Sequence, residues 1–435
     1  MTRRGGEVLI VGAGLAGLSA ARCLGSEPYQ LIEQEDRVGG LCRSIRDRGF
    51  TFDFTGHLLH MKRPEVRSLV FELMGESSFS QIARRSGVYS HGKYTDYPFQ
   101  VNMHGLPTRV VRECVMGFVE TLQRPTPPND PTGTFHQWAT ATFGNGICDH
   151  FMLPYNRKVF CCDLDSMTAD WVSWSIPKPS WADVVRGAQG SNRKAFGYNA
   201  TFLYPLAGGI DHLPKAFLRL IRPPSLSTSL VSVDAEERVA RLSDGRSVRY
   251  SRMISTIPLP QLIARVEGLP AEVAGAASRL RHVSVLNLNL GFDRPCDVTY
   301  QWIYFPEPEF PFYRVGIYSN LSAASVPSAQ SAFYVEISHR PGAAVDVESL
   351  TKESIAALRR VGLIPADANL CRNRPVRIDS AYVIHDRDRQ QWLPQIHEAL
   401  RRLDILSTGR YGAWEYSAME DAMWAGWQAA EWARS

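Results

Sequence analysis

The stretch that most constrains this chain lies at its start. Val8-Leu-Ile-Val11 is an apolar run of strand length, Gly12-Ala-Gly14-Leu15-Ala16-Gly17 follows, and Leu18-Ser-Ala-Ala-Arg-Cys-Leu24 continues with small and apolar residues at helical spacing. This reads as a buried strand, a glycine turn and a helix. Gly12 serves the tight turn, Gly14 lets the backbone approach a pyrophosphate, and Gly17 lets the helix pack on the strand. The helix N-terminus then faces the phosphates with its positive dipole end. A second strand, Tyr29-Gln-Leu-Ile-Glu33, ends in an acid where a carboxylate accepts the ribose hydroxyls of an adenosine. The glycine motif alone is weak evidence. Strand, motif, helix, strand and terminal acid in this order specify a dinucleotide-binding α/β domain.

The remaining sequence is too long for one core. At 435 residues the expectation is about three domains. With 48 Lys+Arg against 44 Asp+Glu the formal charge is only +4, which argues against a nucleic-acid partner. The longest apolar stretch, Val8 to Ala21, is shorter than a bilayer span and is broken by glycines, so no membrane span is expected. No secretory signal is evident. The eight cysteines show neither CxxC nor metal spacing with histidine, so no metal site is expected and a reduced, cytoplasmic protein is the default. A homo-oligomer stays open.

Between the ends the pattern changes three times. Residues 76–194 read as a mainly helical insertion, with helices over Thr108 to Gln123 and Thr134 to Cys148 and a Pro-rich break at Arg124 to Pro131. A helix is expected from Tyr204 to about Ile221. Short strands follow over Thr228 to Asp234, Val239 to Leu242 and Ser247 to Ser255, with a hairpin turn at Asp244-Gly245. Residues 256–379 alternate as an antiparallel sheet, with strands over Ser284 to Phe292, Gln301 to Phe305, Phe312 to Ser319 and Ala332 to Ser338. The dinucleotide domain is therefore discontinuous: 1–75, 195–255 and 380–435.

The residues after Glu33 distinguish among dinucleotides. Glu33-Gln34-Glu-Asp-Arg-Val-Gly39-Gly40-Leu41-Cys-Arg43 resembles the extension in glutathione-reductase-type flavoproteins, in which a Gly-Gly pair and an arginine lie along the FAD diphosphate. At the other end, Leu406 to Tyr416 is strand-like up to a glycine break, and a helix from Met419 to Glu431 is expected to point its N-terminus at the flavin.

More of the chain carries a narrower resemblance. Thr55-Gly56-His57, Tyr97-Pro-Phe-Gln100, Pro154-Tyr155-Asn156-Arg-Lys-Val-Phe160, Tyr204-Pro-Leu-Ala-Gly-Gly209, Ile303-Tyr304-Phe-Pro-Glu307, Pro311-Phe-Tyr-Arg314-Val315, Ser319-Asn320 and Gly409-Arg410-Tyr-Gly-Ala-Trp-Glu-Tyr416 are similar to the flavin-dependent UDP-galactopyranose mutases, within the amine-oxidase-like and protoporphyrinogen-oxidase-like flavoproteins. The resemblance implies a glutathione-reductase-type, Rossmann-like FAD domain carrying the helical and sheet insertions. It also implies a redox-neutral reaction in which N5 of reduced flavin attacks the anomeric carbon of a nucleotide sugar. The nucleotide diphosphate leaves, the sugar ring opens and recloses in the other size, the diphosphate returns to the anomeric carbon and releases N5, and pyranose and furanose interconvert.

The same resemblance assigns residues. His57 lies against the flavin, Arg314 holds the diphosphate, Tyr304, Tyr382 and Tyr416 contact it, and Arg410 stands on the flavin side. Gly12, Gly14, Leu15, Ala16, Gly17, Glu33, Gln34, Gly39, Gly40, Leu41, Arg43, Gly56, Val231, Gly409, Met419, Glu420 and Asp421 complete the FAD set, and Tyr155, Asn156 and Phe160 the substrate set. Ser175 stands where the family has a second diphosphate arginine, and Leu321 where it has an aromatic residue. Either Lys178 or Arg157 takes over that charge, or the leaving group differs. Reducing electrons come from NAD(P)H at the substrate cleft or from a separate reductase, since no second glycine motif is present. Two other readings stay open: an FAD-dependent oxidoreductase of the amine-oxidase or protoporphyrinogen-oxidase type acting on a small molecule, and a flavin-binding partner without turnover.

Overall fold

The computed structural model describes residues 6–123, 133–172, 176–191 and 200–435. The Pro-rich break and Ser175 lie outside them. The N-terminal reading holds in detail: Glu7–Val11 is a buried strand, Leu15–Leu24 a helix, and Tyr29–Ile32 a strand parallel to the first. The two strands belong to a seven-stranded sheet running Val266–Glu267, Leu230–Asp234, Val239–Leu242, Ser247–Ser255, Glu7–Val11, Tyr29–Ile32, with Ile405–Ser407 as a seventh strand beside Ser247–Ser255. Ser247–Ser255 is long enough to serve two partners. Its first half pairs antiparallel with Val239–Leu242, and its second half runs parallel to both Glu7–Val11 and Ile405–Ser407. One chain segment thereby joins the ribbon to the parallel layer.

A second seven-stranded sheet runs Leu370–Val383, His282–Phe292, Ser331–His339, Arg314–Ile317, Trp302–Tyr304, Ser86–Ser90, Lys93–Asp96. Its pairings are antiparallel except that of Trp302–Tyr304 with Ser86–Ser90. The four strands expected between 284 and 338 are present within a few residues of their expected ends. Leu370–Val383, which alternates poorly and contains Pro375, was not expected. It survives as an edge strand, where a missing N–H costs nothing.

Three boundaries need correction. Residues 79–96, assigned to a mainly helical stretch, form three strands, two of which join the second sheet. Residues 259–280, assigned to the substrate sheet, pack against the first sheet, with Val266 opposite Val233. The helix expected from 204 to 221 shrinks to His212–Phe217: Thr201–Pro205 is drawn out as a strand against Phe79–Ala83, and Gly208 and Gly209 take φ of +83° and +79°, which no helix passes through. Helices Thr108–Leu122 and Phe135–Ile147 match expectation, the latter capped reciprocally by Thr134 and Gln137. All eight cysteines are free. Among the described residues no helix is long and apolar enough to cross a membrane.

The C-terminal helix, Met419–Arg434, returns to the start of the chain and packs across the first helix. A Cβ on Gly426 would lie 2.1 Å from the carbonyl oxygen of Ala16, and one on Gly17 would lie 1.9 Å from that of Gly12. Strand, turn and two helices therefore close around positions where no side chain fits. Gly426→Ala should destabilise the protein by about 1–3 kcal/mol through overpacking. This is read as a lower urea midpoint; an unchanged midpoint would contradict the close crossing.

Candidate active site

Between the two sheets lies a cleft of about 660 Å³. The carboxyl ends of the first two strands open into it, the usual location for ligands of open α/β sheets. Glu33 ends the second strand and is buried; Oε2 accepts the N–H of Ala13 at 2.7 Å and Oε1 that of Glu35 at 3.0 Å. The first helix starts at Gly14 with no side-chain cap and no acid in its first turn, so its N–H groups remain available to an anion. Gly14 and Gly39 form a bridge, Gly39 and Gly40 take φ of +120° and +57°, and a Cβ on Gly40 would lie 3.3 Å from the Gly14 Cα. Arg43 is held over this cradle by the Gly40 carbonyl and by Glu35 at 3.2 Å. A carboxylate for ribose hydroxyls, an uncapped helix end, a side-chain-free passage and an arginine beside it fit the adenosine diphosphate half of FAD.

Gly12, Leu15, Ala16, Gln34 and Leu41 line the same end of the cleft, and Gly56, His57, Gly409, Arg410, Tyr416 and Met419 its middle. Other assignments change. Gly17 serves the turn from behind. Val231 faces solvent at 52% exposure; in a strand of period two its neighbour Leu230 turns inward and lines the cleft. The side chains of Glu420 and Asp421 turn away as well. Glu420 accepts the N–H groups of Lys62 and Arg63, both at 2.6 Å, and Asp421 accepts Arg63 Nη1 at 2.8 Å. They fasten the segment after His57 to the C-terminal helix, whose N-terminus opens on the cleft through Ser417, Ala418 and Met419.

The opposite wall comes from one face of the second sheet. Asn287, Glu336, Arg314 and Tyr304 are register partners across four adjacent strands, so their side chains share a face. Glu336, 1% exposed, accepts Arg314 through both Nε and Nη2, the latter at 2.7 Å. The next row contains Asn289, Tyr334 and Gly316. Asn289 and Tyr318 donate to the backbone carbonyl of Asp53 at 3.1 and 2.7 Å, and the Tyr334 hydroxyl packs on Gly56, where a Cβ would lie 2.3 Å from it. The segment carrying His57 is thereby placed by the second sheet, although it follows the strand Phe50–Asp53, which pairs with Ser44–Asp47.

Tyrosines form the rest of this wall. Tyr304 packs between Tyr97 and Tyr155, at 4.9 and 5.4 Å between ring centroids, and Tyr382 stacks on Tyr416 at 5.9 Å. Arg410 lies 4.9 Å from the Tyr416 ring and donates to the Ala381 carbonyl at 3.1 Å. Burial pushes the Tyr382 phenol up to about 12, so it stays a protonated donor. Asn156 and Phe160 also line the cleft. Lys178 lies 5.6 Å from the Trp138 ring and Arg157 is exposed; neither lines the cleft. Arg84, Tyr97, Trp171 and Glu336 do, although the sequence reading gave them no role. Tyr97 left a signal in the Tyr97-Pro-Phe-Gln100 segment and Glu336 one as an acid inside the apolar run Ala332 to Ile337. Leu321 is buried in the aromatic cluster behind the wall.

With this geometry in view, the chain was compared with known proteins. A family model for flavin-containing amine oxidoreductases matches residues 15–431. The chain belongs to that family. Membership implies FAD as the cofactor and an enzyme of the flavin-oxidoreductase superfamily. Among solved structures, reduced UDP-galactopyranose mutase superposes with a TM-score of 0.91 at 28% identity, covering 99% of this chain and 96% of that one. Putrescine oxidase bound to putrescine gives 0.68 at 18% identity over 99% of each chain, a likeness of fold alone. A curated relative, the 4,4'-diapolycopene oxygenase of Methylomonas sp, is 40% identical over 73 residues, which are 16% of this chain and 14% of that protein.

Two titrating groups, half-buried His57 and buried Asp53, give the site a pH signature. Burial lowers His57 from 6.5 to about 4, with Arg410 and Arg314 adding to the effect, so its imidazole is neutral at pH 7. Its Nδ1 lies 3.3 Å from the Thr55 carbonyl and 3.4 Å from the Thr55 hydroxyl; the carbonyl can only accept, so a hydrogen bond to it goes with the proton on Nδ1 and the lone pair on Nε2. Burial raises Asp53 from 3.8 to about 6 against hydrogen bonds from Ser44, Tyr204 and the Ile210 N–H. The linkages oppose each other. Between about pH 6.5 and 4 the unfolded chain protonates His57 more readily, so acidification costs stability; between about 6 and 3.8 the folded chain protonates Asp53 more readily, so acidification adds it. Relative to wild type, Asp53→Asn should lose stability more steeply from pH 6 to 4, and His57→Gln less steeply. Superimposable slopes of urea midpoint against pH for all three proteins would refute the assignment.

Proposed function

We propose that the chain is an FAD-dependent, redox-neutral mutase that interconverts the pyranose and furanose forms of a nucleotide sugar. The observation that carries this reading is the wall opposite the cofactor cradle. An arginine fixed by a buried carboxylate and three tyrosines, Tyr304, Tyr382 and Tyr416, converge on one cleft, a donor set suited to a phosphate oxygen. The likeness to UDP-galactopyranose mutase over nearly the whole of both chains supports it.

FAD would be held by Glu33, the glycine cradle, Arg43 and Arg410, and its reduced form supplies a nucleophilic nitrogen for the anomeric carbon. The protein's own work is placement and charge. Arg314 keeps Nη1 for the cleft, since Glu336 takes Nε and Nη2, and it meets the charge that develops as the bond from the anomeric carbon to the phosphate oxygen breaks. The phenols donate to the departing oxygens, and neutral His57 offers an acceptor at Nε2 without adding positive charge. Tyr155, Phe160 and Trp171 wall off water, which would otherwise capture the activated sugar.

A second reading, an oxidoreductase acting on a small molecule, draws on one observation: neither Lys178 nor Arg157 supplies a second cation to the cleft. One experiment separates the two. Dithionite-reduced protein is incubated under nitrogen with UDP-, TDP- and GDP-sugars, and furanose is followed by chromatography and proton NMR. A mutase forms furanose only when reduced and ends with its flavin unchanged. Bleaching of the oxidised flavin by an amine or polyol, with peroxide release and no furanose, would establish the oxidoreductase instead. In the mutase case Arg314→Gln should lower kcat/KM by about ten- to a hundredfold, as expected for a lost charge-assisted contact.

A further inference from the structure

We infer that His91 and His150 form a surface site for a divalent cation that prefers imidazole ligands, such as Zn²⁺, with Glu113 holding one of the two rings from behind. Neither histidine lines the cleft, and the inference is independent of the substrate reading.

Geometry supplies the first argument. His91 Nε2 and His150 Nδ1 lie 3.1 Å apart. Two imidazole nitrogens bound to one tetrahedral zinc are separated by about 3.3 Å, so the pair already stands near ligand spacing. The other nitrogen of His150, Nε2, lies 2.9 Å from Glu113 Oε2, while Glu113 Oε1 accepts Arg109 Nε at 2.7 Å. A carboxylate paired with arginine only accepts, so the neutral His150 ring keeps its proton on Nε2 and turns the Nδ1 lone pair toward His91. A carboxylate placed behind a histidine in this way orients a metal-binding imidazole and fixes its tautomer. Without a cation, His91 donates its Nε2 proton to that lone pair. With one, the His91 proton resides on Nδ1 and both lone pairs meet the metal.

The backbone at each histidine supplies the second. His91 and Gly92 join Ser86–Ser90 to Lys93–Asp96 in a two-residue turn, with φ of +52° and +73°. Such a turn favours Asn-Gly or Asp-Gly, so a histidine here is not the choice of the turn itself. Its N–H is fixed by Glu307 Oε1 at 2.8 Å. His150 lies in a single π-turn, Cys148–Met152, between the helices Phe135–Ile147 and Leu153–Phe160. Turns of this kind are rare inside helices and gather at functional sites. The next two residues, Phe151 and Met152, line the cleft, so a cation here ties a hairpin of the second sheet to the segment that shapes the cleft wall. Among the described residues no three His, Cys, Asp or Glu side chains converge on a metal position, so water completes the coordination. Binding is then weaker than at a four-ligand structural site, and two imidazoles favour Zn²⁺ over Mg²⁺. In sequence the pair is invisible because 59 residues separate its members.

The test is calorimetric titration of the tag-free, FAD-loaded protein with zinc chloride and, in parallel, magnesium chloride. One zinc ion per chain and no magnesium are expected to bind. His91→Asn suits the turn while removing one ligand; it and His150→Ala should each weaken zinc binding about tenfold or more, and Glu113→Gln about tenfold through the loosened ring. Zinc should raise the urea midpoint of wild type and not that of His91→Asn. His136→Ala removes another histidine paired with a carboxylate, that of Asp165 at 3.0 Å, and should leave zinc binding unchanged. The site is overturned if wild type binds no stoichiometric zinc, if both His91→Asn and His150→Ala stay within twofold of wild type, or if His136→Ala loses as much affinity as they do. If His150→Ala does not fold, His91→Asn decides alone: weaker zinc binding supports the site, and unchanged binding overturns it.

Discussion

The ion pair between Arg314 and Glu336 is the interaction on which the rest of the cleft depends. A carboxylate 1% exposed is costly unless its lone pairs are met, and Arg314 meets two of them with a fork geometry that a lysine could not supply. That requirement forces both residues onto one face of the second sheet, in register, and turns that face toward the cofactor cradle rather than into an apolar core. Asn287 beside Glu336 and Tyr304 beside Arg314 extend the row, so four strands contribute to one polar surface.

The same face also organises the neighbouring region. Asn289 and Tyr318 take the Asp53 carbonyl, and the Asp53 carboxylate takes Ser44, Tyr204 and the Ile210 N–H. Asp53 thus joins four other chain segments, at Ser44, Tyr204 to Ile210, Asn289 and Tyr318, and precedes the turn that leads to His57. A buried carboxyl with this many donors persists although burial disfavours its charge, and the opposite consequence of burial for His57 keeps that imidazole neutral.

Charge in the cleft is separated by function. On the cradle side Glu33 is satisfied by backbone N–H groups, and Arg43 stands beside a side-chain-free passage. On the opposite wall stand arginines and phenols, backed by aromatic packing that excludes water. In this arrangement a cofactor diphosphate and a substrate anion meet different partners, and the middle of the cleft, between His57 and Tyr416, is left to the ring systems.

How much of this was legible in the sequence varies by residue, for a physical reason. Gly12, Gly14, Gly17 and Glu33 are constrained by contacts within their own first few dozen residues, so their spacing alone determined a strand, a turn, a helix and a dinucleotide cradle. The hairpin at Asp244-Gly245 and the strands from 284 to 338 were legible for the same reason, through local turn chemistry and alternation. The resemblance placed His57, Arg314 and the tyrosines on a site, yet periodicity said nothing of Arg84, one of 48 basic residues in a chain without a basic cluster. Val231, Glu420 and Asp421 were misplaced because a strand's phase and a helix's facing depend on what packs against them. The strands at 79–96 were read as helical because the partners that draw them out, Thr201–Pro205 and Trp302–Tyr304, lie more than a hundred residues away. Sequence alone determined the cofactor end of the cleft, where hydrogen bonds close over short loops. Tertiary structure decided the substrate wall, because its residues come from separate strands and become neighbours only when the second sheet forms.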